Sequence, residues 1–144
     1  MQTRLELSLF SLVPCEGKGA GLVATTDILP GTLLISEPPI LALTLFSGEV
    51  AALFKVYPTV YWFQLTSAAA KDLSRQFSSM TEEKRRVVTG LANTYQDEEA
   101  VLGIFKTNAM VISGTEAAVF PWVCRSNHAC VPNCNYSHQA GNLE

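Results

Sequence analysis

Leucine alternates with polar residues at the start of the chain, with Leu5, Leu7 and Leu9 on one side and Glu6 and Ser8 on the other. That period of two predicts a half-buried strand over residues 5–13. Gly17, Gly19 and Gly21 follow, and then two short apolar runs, 22–24 and 33–36, that flank Leu29-Pro30-Gly31. These predict two strands joined by a Pro-Gly turn. From Gly48 the apolar period lengthens to about 3.6, the helical value, and two stripes, Val50, Leu53, Phe54, Tyr57 and Val60, Phe63, Ala70, Leu73, Phe77, predict two helices. Ser79 and Glu82 have the spacing of a capping box for a third helix, whose apolar face is Val87, Val88, Leu91, Ala92 and Tyr95. Asp97 is placed to cap a fourth, with Ala100, Val101, Ile104 and Phe105 facing inward. β character returns at 109–112, a loop passes through Gly114, and an apolar run at 117–120 ends at Pro121. The stripes read as core. Strands, then helices, then strands predict an α+β fold with a helical insertion at about 48–107 instead of a doubly wound α/β sheet.

Composition supports a single domain: 144 residues, 48% hydrophobic, can bury a real core. Three parts are expected within it, a β-rich 1–47, the insertion 48–107 and a C-terminal part 108–144. A net charge of -3 and a pI near 5.4 leave no basic footprint for a phosphate backbone, so no direct nucleic-acid binding is expected. Lys84, Arg85 and Arg86 beside Glu82 and Glu83 read as a solvated helix face. The most apolar stretch, 28–46, contains Pro30, Gly31, Glu37, Pro38 and Pro39, which a bilayer-spanning helix would not tolerate together. Residues 1–14 carry Glu6 and serines where a signal peptide needs an apolar run. No membrane association and an intracellular location, nucleus or cytoplasm, are the expectations.

Of the four cysteines, Cys15, Cys124, Cys130 and Cys134, three crowd into residues 124–134 beside His128 and His138. Such crowding points to metal or reduced thiols before a disulfide framework. The densest chemistry is Arg125-Ser126-Asn127-His128-Ala129-Cys130-Val131-Pro132-Asn133-Cys134. Amide, imidazole and thiol groups here could hold a polar ligand or zinc. A buried polar turn with ordinary core cysteines explains the same letters.

Asn127-His128-x-Cys130-x-Pro132-Asn133-Cys134 resembles the signature of the SET-domain protein-lysine methyltransferases, in particular the SET-and-MYND-type and fungal branch. The order of motifs resembles that family too. Lys18-Gly19-Ala20-Gly21 comes first, then Pro30-Gly31, the helices, Ile104-Phe105-Lys106-Thr107-Asn108-Ala109, and finally Asn127-His128. Ser126, Cys124 and Ala129 depart from the usual aliphatic residue and two serines. The resemblance implies a SET-like, β-rich fold with a knot-like C-terminal loop and methyl transfer from S-adenosylmethionine to lysine of a protein substrate. It further implies that Lys18, Gly19, Ala20 and Gly21 line the cofactor, that Asn108 faces it, and that Asn127 and His128 hold its amino-acid end and adenine.

Cys130 resembles the cysteine that, in zinc-containing relatives, joins three more from a Cys-x-Cys-x-x-Cys segment after the SET domain. Zinc is therefore expected only if the chain continues. The family's catalytic tyrosine is likewise expected beyond Glu144, with 135–138 as one hairpin arm, Gly141-Asn142 as the turn and Leu143-Glu144 as the start of its partner. On that reading the 144 residues alone would be a truncated, inactive form with an exposed sheet edge open to self-association. Two other readings stand beside it: a catalytically silent SET-like interaction domain, and a small zinc module using Cys124, Cys130, Cys134 and His128 or His138. Cysteine hydrolase chemistry lacks an orienting third residue.

Overall fold

The computed structural model describes residues 3–44, 67–113, 115–139 and 141–143. The predicted stripe at Val50, Leu53, Phe54, Tyr57, Val60 and Phe63 lies outside them. Among the described residues, short strands and three helices make an α+β arrangement, and the chain divides into two compact units, Met1–Pro39 with Phe120–Glu144, and Ile40–Val119.

In the first unit, β1 (Arg4–Leu5) pairs antiparallel with β4 (Ile35–Ser36), and β2 (Phe10–Cys15) with β3 (Gly19–Ala24) over six residue pairs from Phe10↔Ala24 to Cys15↔Gly19. The single strand expected over 5–13 is thus two strands broken by a turn, closed by Leu9 N–H donating to the Glu6 carbonyl at 2.9 Å. The Pro-Gly turn is present, with Gly31 at φ 82° and Thr32 N–H bonded to the Leu29 carbonyl. It does not close a hairpin: its flanking strands take partners earlier in the chain, β3 with β2 and β4 with β1. Period-two patterning finds strands, but pairing is decided by which apolar faces can be buried together. Here Phe10, Ile35, Phe120 and Leu143 are buried, and Phe10 meets Trp122 edge to face at 6.4 Å.

In the second unit, β5 (Leu41–Thr44), β7 (Glu116–Val119) and β6 (Met110–Val111) form an antiparallel sheet in the order β5-β7-β6. Leu41 and Leu43 point into the core while Ala42 and Thr44 face out. The side-chain amide of Gln76 accepts from Ala42 N–H at 3.1 Å and donates to the Ala42 carbonyl at 2.7 Å, pairing backbone that would otherwise be unpaired. Gln76 sits on α1 (Ser67–Ser79), which is followed by α2 (Glu82–Thr89) and α3 (Ala100–Asn108). Leu73, Val88, Val101, Ile104, Phe105, Ala117, Ala118 and Val119 supply the core.

Helix boundaries differ from expectation in three places, the first being that α2 ends at Thr89 with Gly90 as its C-cap, so Leu91, Ala92 and Tyr95 of the predicted apolar face lie beyond the helix. Thr81, not Ser79, caps α2, its hydroxyl accepting from Lys84 N–H, while Ser79 donates back to the Gln76 carbonyl. The start of α3 is Glu99 with no side-chain cap, so Asp97 does not serve. Each predicted cap lies within two positions of the residue at the helix start, since several polar residues compete for the role where a loop meets a helix. Among the described residues no helix is long and apolar enough to cross a membrane.

Candidate functional site

The β2–β3 hairpin turns through Glu16, Gly17 and Lys18, with Lys18 N–H donating to the Cys15 carbonyl at 3.0 Å. Gly17 and Gly19 take φ of 69° and 72°, a left-handed backbone in which a Cβ would be strained. The solvent-exposed Lys18 is held between them. Gly21 is glycine for a different reason. A Cβ there would lie 2.8 Å from Cys15 Sγ and would overlap Asn127 Nδ2. The Asn127 side chain passes across the strand where Gly21 leaves room, and its Nδ2 reaches the Ala20 carbonyl at 3.5 Å, a long contact bridging 107 residues of sequence. Cys15 is half-buried and flanks this crossing.

Asn127 is presented by a tightly bonded segment. Residues Val123–Arg125 form a 3-10 turn, Cys124 N–H bonds to the Phe120 carbonyl, Ser126 N–H to the Val123 carbonyl at 2.9 Å, and Arg125 Nε to the Pro121 carbonyl at 2.9 Å. At the front of that turn lies Glu37, 1% exposed, whose Oε1 accepts from Trp122 N–H at 2.8 Å and Val123 N–H at 2.7 Å. Burial pushes the Glu37 carboxyl above the usual range, against the two backbone N–H groups and the Arg125 charge, which pull it down. The Glu37 backbone is tied as well: it exchanges N–H···O bonds of 3.1 and 2.9 Å with Leu143, the end of the hairpin β8 (His138–Gln139) and β9 (Asn142–Leu143). That hairpin pairs Gln139 with Asn142, so Asn142 belongs to a strand and not to the turn in which the sequence placed it.

The structure therefore brings Ala20, Gly21 and Asn127 together, with Lys18 and Gly19 on the same hairpin and exposed His128 next to Asn127. Asn108 belongs to the other unit, at the end of α3, where its amide donates to the Ala92 and Ile104 carbonyls, each at 2.7 Å. Glu37 is the residue sequence reasoning passed over, although its signal was visible as the single charge in the apolar stretch 28–46.

Of the sulfur groups, Cys130 Sγ lies 3.6 Å from His128 Nε2, both exposed, and among the described residues no three His, Cys, Asp or Glu side chains gather as a metal site. The small-zinc-module reading has no such cluster to build on. Burial raises the Cys124 thiol to about 12. On the order of one in 10⁴ of it is thiolate at pH 8, so alkylation should modify exposed Cys130 and Cys134 at least about tenfold faster than Cys124, as peptide mass spectrometry with iodoacetamide would read.

The SET domain family model matches residues 19–143, and the chain belongs to the SET-domain family. A histone-lysine N-methyltransferase of Schizosaccharomyces pombe, set5, is 26% identical over 133 residues, covering 92% of this chain and 34% of that protein. The chain spans about a third of the length of the curated relative it matches. No solved structure matches it.

Proposed function

We propose that this chain is the cofactor-holding part of a protein-lysine methyltransferase and that S-adenosylmethionine binds on the β2–β3 hairpin beside Asn127 and His128. The observation that carries the reading is the meeting of Gly21 with Asn127, where a side chain in place of hydrogen would fill the space the amide occupies. The residues fit such a ligand. Gly19 has open space where its Cβ would be, so a ligand can approach the main chain closely. Lys18 offers an exposed ammonium for a carboxylate, and the neighbouring Asn127 and His128 offer amide and imidazole groups for the polar ends of an amino acid and a base.

When bound, S-adenosylmethionine supplies an electrophilic methyl group for a neutral lysine amine of a protein substrate. The work left to this chain is binding and orientation, which is how a methyltransferase of this type gains rate. Lys18 and the glycine hairpin fix one end of the ligand. Asn127 and His128, anchored by the bonded 120–126 segment, fix the other. The name of the set5 relative makes histone lysines the first substrates to try, in the nucleus or cytoplasm.

Isothermal titration of the 144-residue chain with S-adenosylmethionine tests the binding half. Asn127→Ala is expected to weaken affinity at least tenfold, about 1.4 kcal/mol. No binding by the wild-type chain, or unchanged affinity in the alanine variant, would overturn the assignment. Radiolabelled methyl transfer to a histone mixture by the full-length gene product tests the chemical half. Cofactor binding without transfer by that product would favour a silent interaction domain.

A further inference from the structure

Two separated pieces of chain converge on Glu37. Its main chain bonds Leu143 in both directions. Its side chain reaches across to accept the first two N–H groups of the segment that delivers Asn127. Those donors, Trp122 and Val123, open the Val123–Arg125 turn, where the leading N–H groups have no acceptor within the turn itself. A carboxylate oxygen at this point settles both donors with one atom. Between Val123 and Asn127 the chain has little freedom, because Cys124, Arg125 and Ser126 N–H groups are all bonded locally.

We infer that Glu37 is a positioning residue: its acceptor oxygen locks the 122–125 turn, and through that turn sets Asn127 across Gly21. The link to cofactor binding rests on the function proposed above. The lock itself does not. What the turn requires is an acceptor oxygen at the end of a four-bond reach, and a neutral group can provide it. Burial already disfavours the charged form of Glu37, and the groups near it, the Arg125 guanidinium on the turn and the neutral Cys124 thiol, do not replace the oxygen.

This separates geometry from charge by two variants. Glu37→Gln keeps reach and an acceptor oxygen but removes the charge, whereas Glu37→Asp keeps the charge and shortens the reach by one methylene. The expected pattern is S-adenosylmethionine affinity within about threefold of wild type for E37Q and at least tenfold weaker for E37D. In the cofactor-free proteins, ¹H–¹⁵N spectra should show Trp122 and Val123 amides protected from exchange in wild type and E37Q, with shifted resonances in E37Q because the acceptor is weaker. In E37D both amides should exchange freely and the Asn127 side-chain amide signal should move. Should E37D fail to fold, the E37Q spectrum still decides: unmoved Trp122 and Val123 resonances overturn the lock. Equal disturbance in E37Q and E37D would show that charge, not reach, matters, and an Asn127 signal that ignores both would cut the connection to the site. A wild-type chain that binds no cofactor would sink the proposed function and leave the amide signals to judge this inference alone.

Discussion

Gly103→Ala is expected to lower the stability of the folded chain by about 2 kcal/mol, the reverse of what the same exchange does in an ordinary helix. Gly103 lies within α3, where alanine normally gains about 1 kcal/mol over glycine because it restricts the unfolded chain and exposes less backbone. Here the Cβ would stand 2.7 Å from the Tyr95 carbonyl oxygen, a backbone atom with no rotamer to escape into. It would also press on the Asn93 side chain, whose Oδ1 accepts from Tyr95 N–H at 3.0 Å and so cannot swing away freely. The loop before α3 is bonded to the helix around this point, since Thr94 N–H donates to Thr107 Oγ1 at 3.0 Å and Thr107 Oγ1 donates to the Gly103 carbonyl at 2.8 Å. Overpacking costs about 1–3 kcal/mol, and with backbone as the obstacle the cost belongs at the upper end, about 3 kcal/mol, which leaves about 2 kcal/mol after the helix-propensity gain. Urea unfolding should show a lower midpoint with unchanged slope. A stabilised alanine variant would mean that the loop does not approach α3 as described.

How much of this was legible beforehand depends on whether a feature is local. The stripe Ala100, Val101, Ile104, Phe105 is set by helix periodicity alone, and its last three residues are buried on α3 while Ala100, at the first turn, is exposed. The run 117–120 is buried too. The alternation of Leu5, Leu7 and Leu9 misled because turns and strands can share a period over so few residues, and Leu7 ends in a turn, largely exposed. Partners are the less legible part. Nothing in the letters of the Gly-Lys-Gly-Ala-Gly run says that Gly21 must face Asn127; only the resemblance of motif order placed them in one site. Their contact depends on a hairpin register and on a turn held by a third segment through Glu37, both of them long-range facts. Asn108 shows the converse. Its bond to the Ile104 carbonyl one turn back is local, the plain behaviour of an asparagine at a helix end, while its second bond reaches Ala92, sixteen residues away.

Gly21→Ala is expected to weaken S-adenosylmethionine binding at least tenfold while costing about 1 kcal/mol or less of stability. The backbone of Gly21 is not in the left-handed region, so alanine can adopt it without strain. The atoms it would meet are ends of side chains, Asn127 Nδ2 and Cys15 Sγ, on residues that are exposed and half-buried, and both can rotate away. The fold therefore tolerates the methyl group, but only by moving Asn127 off its crossing and breaking its contact with the Ala20 carbonyl. If the proposed cofactor site depends on that placement, affinity falls although the protein stays folded. A double-mutant cycle gives the decisive comparison. Because the alanine at 21 acts by displacing Asn127, adding Asn127→Ala should cost little more, so the two losses should fall well short of additive. Thermal unfolding run alongside the titrations confirms that each variant is folded. Additive losses would show that residue 21 and Asn127 contribute separately, and unchanged affinity in Gly21→Ala would show that the ligand does not read the position of this amide at all.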